Sequence, residues 1–335
     1  MITKLTIENF KSIKSLTMDC KRVNVFIGEP NAGKSNILEA LGLLNWCEFI
    51  SSNVPLRDYI RFESPEDLFY DQLLNNAVLT QAEGDRGGGV RITSANDNFL
   101  FEWHPVGRPG AFEPLVRLNC EGEKVESFSG LSQFTGSRIK FYLFREQNQF
   151  PGRGADSLTP PHGGNLFSLV NSSQRFRELM QSFFEPYGLT LVLRRGERKF
   201  AVQKQAKPVV VNFPYDVTPD TLRRAIFYTM AMASNRDATL VLEEPESHAF
   251  PYFTKHLGES IGMDDSNQYF IATHNPYLLS AIVEKGKRDE LNVAITYLRD
   301  YQTEVKCLAP EQLDELLDAD PFFNLKSFIE EEAHA

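Results

Sequence analysis

The sequence predicts an α/β fold, with a mainly parallel central sheet, an antiparallel β lobe, and an insertion of helical and β sequence. Two patterns of apolar residues predict it. Apolar runs separated by helical sequence indicate parallel strands buried on both faces, and they lie at residues 239–242, 269–272 and 293–298. Alternation of apolar and polar residues indicates antiparallel strands, and it occurs at residues 89–93, 98–103 and 114–119.

The chain opens with two predicted strands, residues 2–8 and 15–20, and reaches a third in the apolar run Val23–Ile27. The sequence Gly28-Glu29-Pro30-Asn31-Ala32-Gly33-Lys34-Ser35 follows directly, and a segment with apolar residues at helical spacing comes next, ending near Trp46. A strand, a glycine-rich turn and a helix form the context in which the pattern G-x-x-x-x-G-K-S makes a phosphate-binding loop.

Each residue type in this loop suits a bound phosphate. Glycines let backbone N–H groups close around anionic oxygens, and the following helix directs its positive end toward them. Lys34 can reach the β- and γ-phosphates, and the Ser35 hydroxyl can be a ligand of Mg²⁺. We therefore predict a nucleotide site. Its residues are Gly28, Asn31, Ala32, Gly33, Lys34, Ser35 and Asn36.

The middle of the chain is predicted to be more irregular. Residues 48–88 have no regular pattern apart from a helix start at Ser64, and residues 150–164 are a Pro- and Gly-rich loop. Other segments have clear patterns. They are a buried strand at Ile139–Phe144, a helix at Asn165–Phe184, a hairpin of strands 189–194 and 199–204, a strand at 208–213, and a helix opened by Thr218 as N-cap.

A second group of polar residues ends two of the predicted parallel strands. The strand 239–242 runs into Glu243 and Glu244, and the strand 269–272 runs into Thr273 and His274. Beside a phosphate loop, one carboxylate can lie near the Mg²⁺ ligands and the other can orient a water for in-line attack on the γ-phosphate. His274 falls where α/β sheets bind ligands. We predict that Glu243, Glu244 and His274 are catalytic.

These motifs resemble the ABC-type ATPases of the SMC and RecF class, especially the short ATPases related to the OLD proteins. Residues 2–13 are similar to that family's first strand and turn, and Asn31 and Asn36 match its form G-x-N-x-x-G-K-S-N. Residues 243–248 look like its Walker B motif and D-loop, and residues 272–276 look like its switch-histidine motif.

The resemblance implies an ATPase head that sandwiches two ATP molecules between two protomers. It implies that Lys34 and Ser35 bind phosphate and Mg²⁺, that Glu244 is the catalytic base, and that His274 contacts the γ-phosphate. Glu243 would then lie at the metal. Gln147 follows a central strand and is the best candidate for the Q-loop residue that binds nucleotide and Mg²⁺, with Gln149 close behind.

Three departures from the family pattern affect the functional interpretation. Glu243 stands where most such ATPases have Asp, which moves the carboxylate out by one methylene. Residues 217–223 lack the Ser-x-Gly of the signature helix, and Asp220 there would repel a γ-phosphate unless Arg223 or Arg224 offsets it. The chain after His274 is shorter than a typical nuclease domain. We therefore expect any effector to be a separate protein.

Composition limits the alternatives. The net charge of −10 does not favour a molecule built to lie on a polyanion, and the four scattered cysteines suit reduced thiols in a cytosol. No apolar stretch is long enough for a membrane span. We expect a cytoplasmic protein without membrane contact, and no zinc site.

The function predicted from these features is a slow, ATP-hydrolysing switch that dimerises on ATP and controls a separate nuclease or toxin in anti-phage defence or DNA surveillance. One alternative is a RecF-like DNA-repair ATPase that binds DNA through a basic hairpin of Arg194, Arg195, Arg198 and Lys199. Another is a nucleotide sensor without turnover. The predicted domain organisation is a composite head over 1–310 and an acidic tail over 311–335. Within the head we expect a lobe of about 1–20 and 89–130 and an insertion of about 150–215.

Overall fold

The computed structural model describes residues 1–50, 54–85, 87–105, 112–128, 138–154, 156–318, 322 and 325–330. The strands are β1 (Ile2–Phe10), β2 (Ile13–Asp19), β3 (Val23–Ile27), β4 (Val78–Gly84), β5 (Gly88–Ala95), β6 (Asn98–Pro105), β7 (Glu113–Asn119), β8 (Lys124–Ser127), β9 (Ile139–Tyr142), β10 (Leu189–Arg194), β11 (Lys199–Ala206), β12 (Val209–Pro214), β13 (Thr239–Glu243), β14 (Gln268–Ala272), β15 (Leu291–Arg299) and β16 (Gln302–Cys307). The helices are α1 (Lys34–Glu48), α2 (Leu166–Ser172), α3 (Gln174–Ser182), α4 (Asp220–Ala233), α5 (Pro251–Met263), α6 (Pro276–Lys285), α7 (Pro310–Asp318) and α8 (Leu325–Glu330).

The first of two compact units comprises residues 1–141, 237–244 and 258–335. It holds a seven-stranded antiparallel sheet of order β2-β1-β4-β5-β6-β7-β8. A second sheet has the order β16-β15-β3-β14-β13-β9, and its strands β15, β3, β14 and β13 are parallel. Every residue of β3 and β14 is buried, as expected for parallel strands covered on both faces.

Helix α1 is almost entirely buried because it lies between these two sheets. It contacts β13 and β14 of the parallel sheet and β1, β4 and β5 of the antiparallel one. Its buried residues therefore occur on every side of the helix rather than on one stripe. This packing fixes the direction in which the N-terminus of α1 points.

The second unit comprises residues 142–236 and 245–257. It contains a three-stranded antiparallel sheet of order β10-β11-β12 and the helices α2, α3 and α4. Aromatic side chains form its core. Phe200 packs against Phe150 at a ring-centroid distance of 5.3 Å, against Phe167 at 5.2 Å and against Tyr215 at 5.5 Å.

The predicted α/β fold class, with a mainly parallel sheet and an antiparallel β lobe, is confirmed. Some predicted elements differ from those observed. The stretch 48–88 contains β4, whose buried residues Val78, Thr80 and Ala82 alternate with more exposed ones. The single helix predicted at residues 165–184 is two helices, because Ser173 has an extended conformation between them.

One predicted helix start also needs correction. Helix α4 has Pro219 rather than Thr218 at its N-cap, and no side chain caps it. The acidic segment beyond residue 310 contains α7 and α8, which bury Leu313, Leu316 and Phe328. The predicted domain boundaries stay a prediction. Among the described helices, none combines the length and the apolar character that crossing a membrane requires.

Candidate nucleotide-binding site

The predicted phosphate loop, the acid pair and His274 all lie at one edge of the parallel sheet. Strands β3, β14 and β13 are adjacent and parallel, so their carboxyl ends meet at the same edge. Strand β14, which leads to His274, lies between the other two. The Thr273 N–H donates to the Phe26 carbonyl at 3.1 Å, and the Glu244 N–H donates to the Ala272 carbonyl at 3.0 Å. The two segments that should share one nucleotide are therefore separated by a single strand.

The conformation of the phosphate loop depends on its two glycines. Gly28 has a φ of +153°, and a Cβ there would lie 2.1 Å from the carbonyl oxygen of Thr296. Gly33 has a φ of +96°, and a Cβ there would lie 2.0 Å from Oγ1 of Thr303. Between them Asn31 is also left-handed, at φ +63°. Side chains at either glycine would push the loop off the neighbouring strands β15 and β16.

Lys34 lies along the inside of this loop. Its Nζ donates to the carbonyl oxygens of Gly28 and Glu29, both at 2.9 Å, and its side chain is buried. Burial lowers the pKa of Lys34 to about 8, although the carboxylate of Glu244 acts in the opposite direction. The ammonium group is therefore held against two carbonyl oxygens of the loop, in a buried place that favours its neutral form.

We expect ATP affinity to fall as the pH rises through about 8. Below that pH, Lys34 already carries the charge that phosphates bind. Above it, the free protein holds Lys34 largely neutral, so binding must take up a proton and affinity drops by up to about tenfold per pH unit. Titration calorimetry between about pH 7 and about pH 10, in buffers of different ionisation enthalpy, measures both the affinity and the proton uptake.

Lys34→Arg is the matched control, because a guanidinium stays charged throughout this range. Its affinity should be lower overall but flat with pH. A wild-type affinity that does not change above pH 8 would contradict the prediction.

Asn36 takes part in a hydrogen-bond chain beneath the loop. Its Nδ2 donates to Ser12 Oγ at 2.7 Å, and Ser12 Oγ lies 2.6 Å from Thr303 Oγ1. Thr303 Oγ1 in turn donates to the Ala32 carbonyl at 3.2 Å. The chain connects the turn after β1 and the strand β16 to the loop. The predicted contact of Asn36 with nucleotide stays a prediction.

Ser35 and Glu243 are in direct contact. The Ser35 hydroxyl donates a hydrogen bond to the Glu243 carboxylate, and Glu243 Oε1 lies 3.3 Å from Arg61 Nη2. Burial raises the pKa of Glu243, while Arg61 and Ser35 act to lower it. A hydroxyl and a carboxylate oxygen are ligand types that Mg²⁺ prefers, and these two are close enough to bind the same ion. The longer side chain of Glu243 still reaches the phosphate loop.

Glu244 and His274 form a second pair, closer to solvent. Glu244 Oε1 lies 3.2 Å from His274 Nε2, and the two side chains are 43% and 38% exposed. Burial and the charge of Lys34 lower the pKa of His274, against the effect of Glu244. A largely neutral imidazole can donate to an anionic oxygen without holding the carboxylate in a strong ion pair. The backbone of Glu244 has a left-handed conformation, with φ +40°, which is uncommon for a residue other than glycine at the end of a strand.

Sequence reasoning missed a buried charge network beside this site. Glu39, on α1 and almost fully buried, pairs with Arg61 Nε at 2.6 Å and also with the ammonium of Lys11. Lys11 Nζ further donates to the Arg61 carbonyl at 2.5 Å. The guanidinium of Arg61 thus bridges Glu39 and Glu243. The signal available in the sequence was Glu39 itself, an acidic residue among the apolar residues of α1. A buried carboxylate needs a cationic partner, so its presence there predicts a nearby Lys or Arg.

Gln147 belongs to the second unit. Its side-chain amide donates to the backbone carbonyl of His162, and Gln149 is exposed. The predicted role of Gln147 at nucleotide and metal stays a prediction.

The segment that replaces the signature motif is internally neutralised. Asp220 Oδ2 lies 2.9 Å from Arg224 Nε, and Asp220 Oδ1 lies 3.9 Å from Arg223 Nη2. Arg223 is buried and also pairs with Glu146 at 2.9 Å. The negative charge of Asp220 is thus offset by its own helix.

The hairpin proposed as a DNA contact is not a uniform basic surface. Arg198 donates to the Phe150 carbonyl at 3.1 Å and to Ser168 Oγ at 2.6 Å, so it holds the hairpin against its own unit. Arg194 and Lys199 each lie within 3.8 Å of Glu197. The DNA-binding alternative loses part of the surface on which it depended.

Comparison with known proteins supports the same fold and activity class. Residues 1–76 match the family model described as the AAA ATPase domain, and no curated protein matches the chain. An SMC head bound to the C-winged helix domain of ScpA is 12% identical, with a TM-score of 0.55 over 94% of this chain and 99% of that one. An Smc head domain with an extended coiled coil, bound to the C-terminal domain of ScpA and derived from Pyrococcus furiosus, is also 12% identical. Its TM-score is 0.51 over 95% of this chain and 98% of that one.

At 12% identity, the similarity to these two structures establishes the fold alone. The family match covers the phosphate loop and the helix after it. The resemblance to SMC-like ATPases inferred from the sequence is thereby confirmed: the chain has the fold of an SMC-like ABC-type ATPase head, and its N-terminal match supports an ATP-binding ATPase. The closer resemblance to the OLD-related ATPases stays a prediction.

Proposed function

We propose that this chain binds and slowly hydrolyses ATP, dimerises when ATP is bound, and thereby controls a separate effector in anti-phage defence or DNA surveillance. The observation that carries the proposal is the meeting of Ser35 with Glu243, and of Glu244 with His274, at the edge of the sheet where β3 ends. Side chains that could bind phosphate, bind a metal ion and act as a base then lie close enough together to contact one triphosphate.

In the proposed binding step, the amides of the phosphate loop and the ammonium of Lys34 hold the β- and γ-phosphates. Lys34 leaves the carbonyls of Gly28 and Glu29 for the phosphate oxygens, which offer it a stronger, charge-assisted contact. Ser35 and Glu243 would hold Mg²⁺, which when bound neutralises charge on the β- and γ-phosphate oxygens.

In the proposed hydrolysis step, Glu244 accepts a proton from a water whose oxygen bonds to the γ-phosphorus, while the bond from that phosphorus to the departing ADP oxygen breaks. His274 donates a hydrogen bond to a γ-phosphate oxygen. The 3.2 Å separation of their side chains puts both groups beside one small volume, and their partial exposure leaves room for that water. Because that volume is open to solvent, turnover by a single chain should be slow. A second protomer closing over the nucleotide would exclude solvent.

Dimerisation and effector control are the finer part of the proposal. The pairing of Asp220 with Arg224 and Arg223 supports dimerisation, because it weakens the repulsion that this segment would exert on a partner's ATP. The two SMC heads of the same fold are each bound by a domain of another protein, ScpA. We infer by analogy that this head acts on a separate protein, a nuclease or toxin.

Phosphate release by the purified protein tests the enzymatic part. We expect MgATP-dependent release above the level of a Glu244→Gln blank, because that variant lacks the base but keeps the shape of the side chain. Release no faster than the blank would contradict hydrolysis and favour the nucleotide sensor instead. For the effector, activity of a purified candidate nuclease or toxin should change with wild-type protein and MgATP, and stay unchanged with Lys34→Ala.

A further inference from the structure

The second unit exposes an apolar surface that the proposed ATPase chemistry does not use. A cavity of about 620 Å³ lies beside the start of α4. Three of the side chains that line it are more than half exposed: Tyr187 at 59%, Val217 at 64% and Phe250 at 67%. Large exposed apolar side chains grouped around a cavity mark an interaction site.

Strand β12 continues this surface. It is an edge strand of the sheet β10-β11-β12, and all six of its residues are exposed. In the described part of the chain no strand pairs with its outer edge. Edge strands are normally protected by charged side chains, yet no charge lies between Pro208 and Pro214. Phe213 belongs both to β12 and to the cavity lining.

We propose that β12 pairs with β12 of a second copy of this chain, antiparallel, about a two-fold axis at Val211. The strand is self-complementary in this register. Pro208, in the turn before the strand, and Pro214, its last residue, are equally far from Val211, so they would flank the paired segment symmetrically, and neither has an N–H that would be left without a partner there. Val209 would oppose Phe213.

Charge at the ends of the strand supports a second copy over another partner. Lys207 lies in the turn before β12, Asp216 lies in the short 3-10 helix after it, and both are exposed. An antiparallel pair brings the start of one strand to the end of the other, so Lys207 of one chain would lie near Asp216 of the other. Because of the two-fold symmetry, the interface would contain two such pairs of opposite charges. Opposite charges that face each other across an interface favour the matching partner, whereas like charges disfavour it.

The apolar surface around the cavity adds to the small area that a pair of short strands can bury. Residues directly opposed in an antiparallel pair share one face of the sheet, so Val209 of the second copy would lie beside Phe213 at the rim. A stable interface buries about 800 Å² on each partner, more than five paired residues provide. The exposed side chains of Tyr187, Val217 and Phe250 extend the apolar area in that direction.

This interface contains no nucleotide and does not rest on the proposed ATP-driven dimer. Light scattering after gel filtration, at roughly 1 to 100 µM protein without nucleotide, should show a dimer for wild type and equally for Lys34→Ala. Val211→Lys should be monomeric, because it places two ammonium groups opposite each other across the axis. Val211→Glu should also be monomeric, because it places two carboxylates opposite each other.

An equimolar mixture of Val211→Lys and Val211→Glu should recover the dimer, since opposite charges then meet at the axis. Val125→Lys is the matched control. Val125 is 58% exposed on β8, the edge strand of the other antiparallel sheet, and its replacement should leave the dimer intact. Unchanged thermal unfolding and ATP affinity will show that the Val211 variants are folded.

Three outcomes would overturn the proposal. They are a monomeric wild type over the whole concentration range, a dimeric Val211→Lys, and a mixture of the two charged variants that stays monomeric. The first and third would assign the surface to a different occupant, such as an apolar segment of another protein. None of them bears on ATP-dependent association, which is measured separately with Glu244→Gln.

Discussion

Replacing Lys34 with alanine is expected to weaken ATP binding at least about 100-fold, which corresponds to roughly 3 kcal/mol. The phosphate loop offers backbone N–H groups and this one buried ammonium to the triphosphate, and contacts between charged groups contribute most to such binding. Titration calorimetry with MgATP at about pH 7.5, where Lys34 is still largely charged, measures the loss.

Lys326→Ala is a suitable control for the Lys34 variant. Lys326 is 78% exposed and its Nζ lies 3.9 Å from the Glu29 carboxylate on the same loop, so it carries the same charge close to the loop but is open to solvent, unlike the buried Lys34. Its ATP affinity should match that of wild type, and both variants should unfold within a few degrees of wild type. An Lys34→Ala protein that still binds ATP like wild type would refute the assigned site.

Replacing Glu244 with glutamine is expected to reduce phosphate release about 100- to 1000-fold while ATP binding is retained. Glutamine keeps the size of the side chain but cannot accept the proton of the attacking water. It also removes a negative charge next to the γ-phosphate, so the ATP-bound form should accumulate. If ATP drives association as proposed, light scattering will show that Glu244→Gln gains mass when MgATP is added in the Val211→Lys background, where the β12 pair cannot form.

Glu284→Gln is the matched control for this experiment, because Glu284 is an exposed carboxylate on α6, the helix that follows His274. It should turn over ATP at the wild-type rate. If Glu244→Gln gains no mass with saturating MgATP in the Val211→Lys background, the dimerising switch is contradicted. Phosphate release unaffected by the substitution would exclude Glu244 as the base.

The parts of the site that were predictable from the sequence are those encoded locally. Gly28, Gly33 and Lys34 occur at fixed spacing because a tight turn into a helix N-terminus demands it, so neighbouring residues alone identify the loop. Glu243 and His274 could be placed because apolar runs end at them and parallel strands end at one edge. Neighbouring residues did not indicate that β14 lies between the two other strands, which depends on long-range pairing.

The charge network could not be read from local sequence because its members are brought together only by the fold. Arg61 lies in a stretch without a regular pattern, and its contacts with Glu39 and Glu243 join residues far apart in the chain. Strand β4 was missed for a related reason. Its buried residues include Thr80 and Ala82, which are too small or too polar to give a strong alternating pattern.

Strand β12 illustrates a different limit. Its valines predicted a strand correctly, since β-branched residues favour extended structure. They did not predict that every residue would be exposed, because a run of valines is more often buried. Whether such a strand is covered depends on the elements beside it.

The hydrogen-bond chain beneath the phosphate loop has a consequence for synthesis of the protein. Ala32 is held by Thr303, a residue 271 positions later, and the loop also rests on strands that come from the last third of the sequence. A ribosome must therefore have released residue 303 before the nascent chain can hold a nucleotide firmly. A chain that ends before residue 303 would lack this support for its phosphate loop.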